Sequence, residues 1–72
     1  MAYRYRFTER QFFHEDIGGY TAYGIELEGE PGVEIQDVSA DITFVEELVR
    51  KMNQYQLDPI QVSDVIEDAL AG

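Results

Sequence analysis

Leu57-Asp58-Pro59-Ile60-Gln61-Val62-Ser63-Asp64-Val65-Ile66-Glu67-Asp68-Ala69-Leu70 reads as an amphipathic helix with its start signal attached. Asp58 suits the cap: its carboxylate can accept from a free first-turn N–H at the positive end of the helix dipole. Pro59 suits the first helical position, where no hydrogen bond is lost and φ is already set. Leu57 and Val62 have the spacing of a hydrophobic staple. Val62, Val65, Ile66, Ala69 and Leu70 recur every three or four residues, so they form one apolar stripe. The other face carries Ser63, Asp64, Glu67 and Asp68.

A helix with that stripe needs a surface to pack on, and the preceding chain supplies it. Thr43 with Glu46 fits a capping box, and Ser39 and Asp41 are competing caps. Phe44, Val45, Leu48, Val49 and Met52 make the stripe of a helix over about 42–54. Glu46–Arg50 and Glu47–Lys51 are four apart in the favourable order. Before it, Tyr3-Arg4-Tyr5-Arg6-Phe7-Thr8 alternates like a strand, with Tyr3, Tyr5 and Phe7 inward. That strand extends to about residue 13, where Phe12-Phe13 demands a bulge, a bend or an exposed ring. His14 to Gly19 is the connection, with the Gly18-Gly19 pair allowing a tight turn. Residues 20–28 form the second strand; Gly24 inside it implies a bulge or a close approach, such as that of an aromatic ring. Gly29-Glu30-Pro31-Gly32 reads as a turn, and residues 33–38 as the third strand with Val33 and Ile35 inward. The expected fold is α+β: a three-stranded antiparallel sheet followed by two helices on one face, β-β-β-α-α, in one domain spanning 1–72.

Composition narrows the function. Fifteen acidic residues face five basic ones, for a net charge of −10. Direct binding to a nucleic-acid backbone or an anionic membrane is disfavoured. A hydrophobic content of 44%, with five Tyr and four Phe, argues for a folded chain rather than a disordered one. The charge is uneven: residues 1–13 hold Arg4, Arg6 and Arg10 against Glu9 alone. Cross-strand charge balance accounts for that basic edge. The absence of cysteine suits a reducing compartment. Met1 to Arg6 lacks the apolar run of a signal peptide, so a cytoplasmic location is expected.

With the elements placed, further motifs stand out: Tyr20-x-x-Tyr23-Gly24-Ile25, Ile35-x-Asp37-Val38-Ser39-x-Asp41 and Val45-x-x-Leu48-Val49. Asn53-x-x-x-Leu57-x-Pro59-Ile60 and Asp64-Val65-Ile66-Glu67-Asp68 follow. On these the chain resembles a family of short uncharacterised bacterial proteins, a domain of unknown function found mainly in Gram-positive anaerobes. The resemblance covers most of the chain after the first strand and implies the fold, not an activity. Where such proteins carry His after the Pro, this chain has Gln61-Val62, so no metal or proton-transfer role carries over to that position.

Chemistry is sparse. His14 is the single imidazole, and Ser39 and Ser63 are the only serines. A loop His14-Glu15-Asp16 reads as solvated rather than catalytic. The acidic spacing matches no calcium loop, and the glycine pair is not followed by a phosphate-binding Lys-Ser/Thr. No catalytic residue, metal ligand or cofactor is expected. The expectation is a non-enzymatic protein-interaction domain that meets a protein partner through its acidic helix or by edge-strand addition; the contact on the helix is Asp64, Glu67 and Asp68, facing a basic or nucleic-acid-binding protein. The plainer reading of that face is a solvated one that aids solubility. Tyr55 has two readings: an aromatic anchor for the partner, or a core residue closing the helix–helix corner. The alternative function is a phage-type inhibitor imitating nucleic-acid charge, with Glu26, Glu28, Glu30 and Glu34 joining the helix acids. Two open sheet edges also make a homodimer plausible.

Overall fold

The computed structural model describes residues 2–72. Met1, the first residue of the expected domain, lies outside them. The elements are β1 (Tyr5–His14), β2 (Gly18–Leu27), β3 (Glu30–Ser39), α1 (Ile42–Gln54) and α2 (Val62–Ala71). A single 3-10 turn, Pro59–Gln61, leads into α2. The sheet order is β1-β2-β3, antiparallel throughout.

β1 and β2 pair without a break from Tyr5↔Leu27 to His14↔Gly18. The alternation of a strand then divides the side chains. Tyr5, Ile25 and Leu27 point to the helices and are buried, while Arg6, Arg10 and Glu26 point the other way. Phe7 was expected inward, and it does share the Tyr5 face, yet it is 41% exposed. The hairpin outruns the helices, which cover only its Tyr5/Leu27 end. Phe7 instead meets the edge of Tyr23, with ring centroids 6.4 Å apart. The Phe12-Phe13 conflict is resolved without a bulge: Phe12 stacks on Tyr20 on the far face, and Phe13 is exposed.

The β2–β3 register is irregular. Tyr23 faces Ser39 and Ile25 faces Ile35, so β3 carries extra residues opposite Gly24. The group crowding Gly24 is therefore β3 backbone, not an aromatic ring. The expected turn at Gly29-Glu30-Pro31-Gly32 is earlier and tighter. The chain reverses at Glu28-Gly29, with Gly29 at φ 85°, and Pro31 and Gly32 already lie in β3. Pro31 is tolerated because β3 is an edge strand and its missing N–H costs no ladder bond.

Of the competing caps, Asp41 wins: its carboxylate accepts from Thr43 N at 3.0 Å and Phe44 N at 3.4 Å. Thr43 lies inside the first turn, so the Thr43–Glu46 box does not form. Arg50 pairs with Glu47 at 2.8 Å rather than with Glu46; three-apart and four-apart neighbours are both within reach on a helix. Glu47 is held below its ordinary pKa by that guanidinium. α1 ends in a Schellman motif, with Leu57 N donating to Met52 O and Gln56 N to Asn53 O. Gln56 occupies the left-handed position, φ 50°, where glycine is usual. Asp58 caps the next turn through Ile60 N at 3.0 Å. α2 then buries Val62 and Ile66, but Leu70, expected in the stripe, lies beyond the covered part and is 54% exposed.

The core is Tyr5, Ile25, Leu27, Val38, Val45, Val49, Met52, Val62 and Ile66. Its one polar tip is the Tyr5 hydroxyl, which donates to Leu57 O at 2.5 Å. Burial, chiefly, and then Asp58 and Tyr3 push the Tyr5 pKa above its ordinary 10.0. The folded state therefore resists deprotonation more than the unfolded chain does. Its contribution is complete below the unfolded tyrosine pKa and is lost as pH rises through the raised folded value. Tyr5→Phe should cost about 1 kcal/mol at neutral pH and should flatten the fall in stability above pH ~10, read by urea unfolding at stepped pH.

The same end of the molecule holds a second seam. Asn53 donates to Tyr5 O at 2.9 Å and accepts from Tyr5 N at 2.6 Å. Gln56 does the same for Tyr3, at 3.0 and 2.8 Å. Two side-chain amides thus pair with the open edge of the first strand as a neighbouring strand would.

Candidate functional site

Asp64, Glu67 and Asp68 are exposed on α2. None of the three is in an ion pair with another described residue. The helical angle places Asp64 and Asp68 on the same side of Val65, with Glu67 further round. Val65 in turn lines a hollow of about 210 Å³ between α1 and α2, with Leu48, Lys51, Met52, Tyr55 and Leu57. The hollow's wall is apolar, and Val65 is its one residue from α2.

Tyr55 is 75% exposed, which overturns its reading as a core residue. The physical reason is its place as C-cap of α1. The chain turns away from the helix there, and the Schellman geometry brings Leu57 back onto Met52, so Leu57 closes the corner. Of the four candidate residues only Tyr55 lines the hollow; Asp64 and Asp68 flank Val65 on the exposed side of α2, and Glu67 is turned to the side roughly opposite Val65. Leu48, Met52, Leu57 and Val65 line the hollow and also fit the apolar pattern of a core, and nothing in their spacing separates the two uses.

The sheet carboxylates are elsewhere. Glu26 is paired with Arg6 across β1–β2. Glu34 accepts from Arg10 at 2.7 Å, a bond that reaches across β2 over the small residues Ala22 and Gly24. Arg10 is held above its ordinary pKa chiefly by that bond. These acids lie on the face away from the helices, so they do not form one row with Asp64, Glu67 and Asp68.

Two wider depressions, about 790 and 590 Å³, flank Ala2 and Tyr3, along the seam of β1 with Asn53, Gln56, Asp58 and Pro59. His14 ends β1 and accepts from Asp16 N at 3.2 Å in an exposed turn. Among the described residues, no group of three or more His, Asp or Glu is placed to hold a metal ion. Among the described residues, no helix is long and apolar enough to cross a membrane.

A family model described as a family of unknown function (DUF6514) matches residues 1–72. No curated protein and no solved structure matches the chain. The chain belongs to that family.

Proposed function

We propose that this member of a family of unknown function is a non-enzymatic module that binds a protein. The partner seats an apolar side chain in the hollow beside Tyr55 and sets basic groups against Asp64, Glu67 and Asp68. One observation carries the reading: a 75% exposed tyrosine lines an apolar hollow whose α2 residue, Val65, is preceded in the chain by Asp64, an acid that no described residue pairs. Exposed aromatic rings beside an apolar pocket are the usual anchors of protein interfaces. Neighbouring unpaired acids speed encounter with a basic partner and fix its orientation. The non-enzymatic part rests on the distribution of chemistry: the single imidazole, His14, stands at the hairpin tip, at the opposite end of β1 from this hollow.

The test is capture on the immobilised protein followed by affinity measurement with the purified partner. Tyr55→Ala should weaken binding more than tenfold, as truncation of an interface anchor costs above ~1.4 kcal/mol. The triple change Asp64→Lys, Glu67→Lys, Asp68→Lys should slow association and flatten its salt dependence. A partner that binds all three proteins equally would overturn the proposal.

A further inference from the structure

The open edge of β1 is closed at one end and free along the rest. Glu28 N donates to Arg4 O at 2.9 Å. That bond fixes the parity of the ladder: even-numbered residues of the first strand bond to β2, and odd-numbered ones turn their N–H and C=O outward. Tyr3 and Tyr5 are odd, and Gln56 and Asn53 satisfy them. Phe7, Glu9, Gln11 and Phe13 are odd too, and all four are exposed. No described residue bonds their outward backbone groups. The free stretch therefore runs from Arg6, just past the amide caps, to His14, where β1 ends. Its midpoint is Arg10.

From this geometry we infer that two copies of the chain pair antiparallel along Arg6–His14, with the two-fold axis at Arg10, into one continuous six-stranded sheet. This inference is independent of the surface around Tyr55. A strand with a free edge and exposed aromatic rings is a template for strand addition. The length of the free edge selects the register. With Arg10 on the axis, Phe7 faces Phe13 of the second copy and Glu9 faces its Gln11, so every outward group is paired. Shifting by two residues one way sets Glu9 against its own copy and drives Phe13 onto the capped Tyr5. Shifting the other way leaves Phe7 opposite the turn. Aromatic cross-strand pairs stabilise such a ladder.

Charge points to the same edge. A chain of net charge −10 repels its copy. β1 carries Arg6 and Arg10 against Glu9 alone, so the copies meet along their least acidic strand. The two Arg10 side chains stand opposite each other at the axis, but each guanidinium is drawn back across β2 to Glu34, 2.7 Å away.

Analytical ultracentrifugation of the full chain tests this. The wild type should sediment at twice its 8.3 kDa mass. Glu9→Pro removes one outward N–H and no backbone bond to β2, so it should keep its circular dichroism and sediment as a monomer. Phe7→Lys/Phe13→Lys should also be monomeric, and serves if the proline variant misfolds. The chain has no cysteine, so Arg10→Cys reports the register. Its two thiols meet at a non-bonded pair with Cα atoms about 4.5 Å apart, a separation a disulfide spans. It should oxidise to a covalent dimer, while Lys51→Cys should not. A wild type that stays monomeric at millimolar concentration overturns the inference, as does a dimer that both edge variants leave intact. A dimer in which Arg10→Cys fails to cross-link overturns the register.

Discussion

Gly24→Ala is expected to cost about 3 kcal/mol, near the top of the range for forcing an extra group into packed structure. A Cβ at Gly24 would lie 2.2 Å from Ile35 O and 2.8 Å from the Cα and carbonyl carbon of Gln36. All three are backbone atoms of β3, so no side chain can swing aside. The strand would have to lift off β2, taking with it the Arg10–Glu34 bond and the bulge that brings Val38 into the core. A domain of this size has about 4–10 kcal/mol in total, so the loss should be plain in a urea melt. Gly19→Ala is the matched control. Its Cβ would meet only Phe12 O, at an ordinary 3.8 Å, and its stability should change by less than about 1 kcal/mol, with a gain as the expected sign.

Asn53→Ala is expected to cost about 2 kcal/mol, read from the same denaturation curves. The change removes both bonds to Tyr5 and leaves a part-buried N–H and C=O without partners, each a penalty of about 1–3 kcal/mol. The better helix propensity of alanine returns a few tenths of a kcal/mol. Asn53→Asp separates the two bonds. Its carboxylate still accepts from Tyr5 N but faces Tyr5 O, another acceptor, which raises the folded pKa of the new acid. The protonated form can donate where the amide did, so the deficit should shrink as pH falls through the carboxylate range, about 4. Gln56 shows why this seam matters to the fold: it holds a left-handed conformation that favours glycine, and its amide pairs with both backbone groups of Tyr3.

The helices were legible because their signals are local. Phe44, Val45, Leu48, Val49 and Met52 fix α1 by spacing alone, and its observed bounds, Ile42–Gln54, match the reading. Asp58-Pro59 marked the second start, although the first turn proved to be 3-10. The strand ends were less legible. Pro31 and Gly32 look like turn residues, and only the position of β3 at the sheet edge lets them belong to a strand. Phe7 and Leu70 obey the apolar period yet are exposed, since periodicity tells which face a residue takes and not how far the opposite layer extends. Tyr55 was ambiguous for the same reason. Its exposure follows from the Schellman turn, which depends on Gln56 adopting a conformation its sequence does not advertise. The acidic row Asp64, Glu67 and Asp68 was visible directly, because charge on an amphipathic helix is read from spacing. The apolar hollow between α1 and α2 was not, because a groove exists only once two helices are placed.

Placing a photo-activatable cross-linker at position 55 of the full chain, and irradiating it in the native host, tests the binding surface most directly. The expected result is a discrete cross-linked protein that is lost when Asp64, Glu67 and Asp68 are changed to Lys and absent when the same group stands at Gln36, an exposed position in β3. Cross-linking from position 36 but not from 55, or cross-linking from 55 that ignores the acidic row, would contradict it.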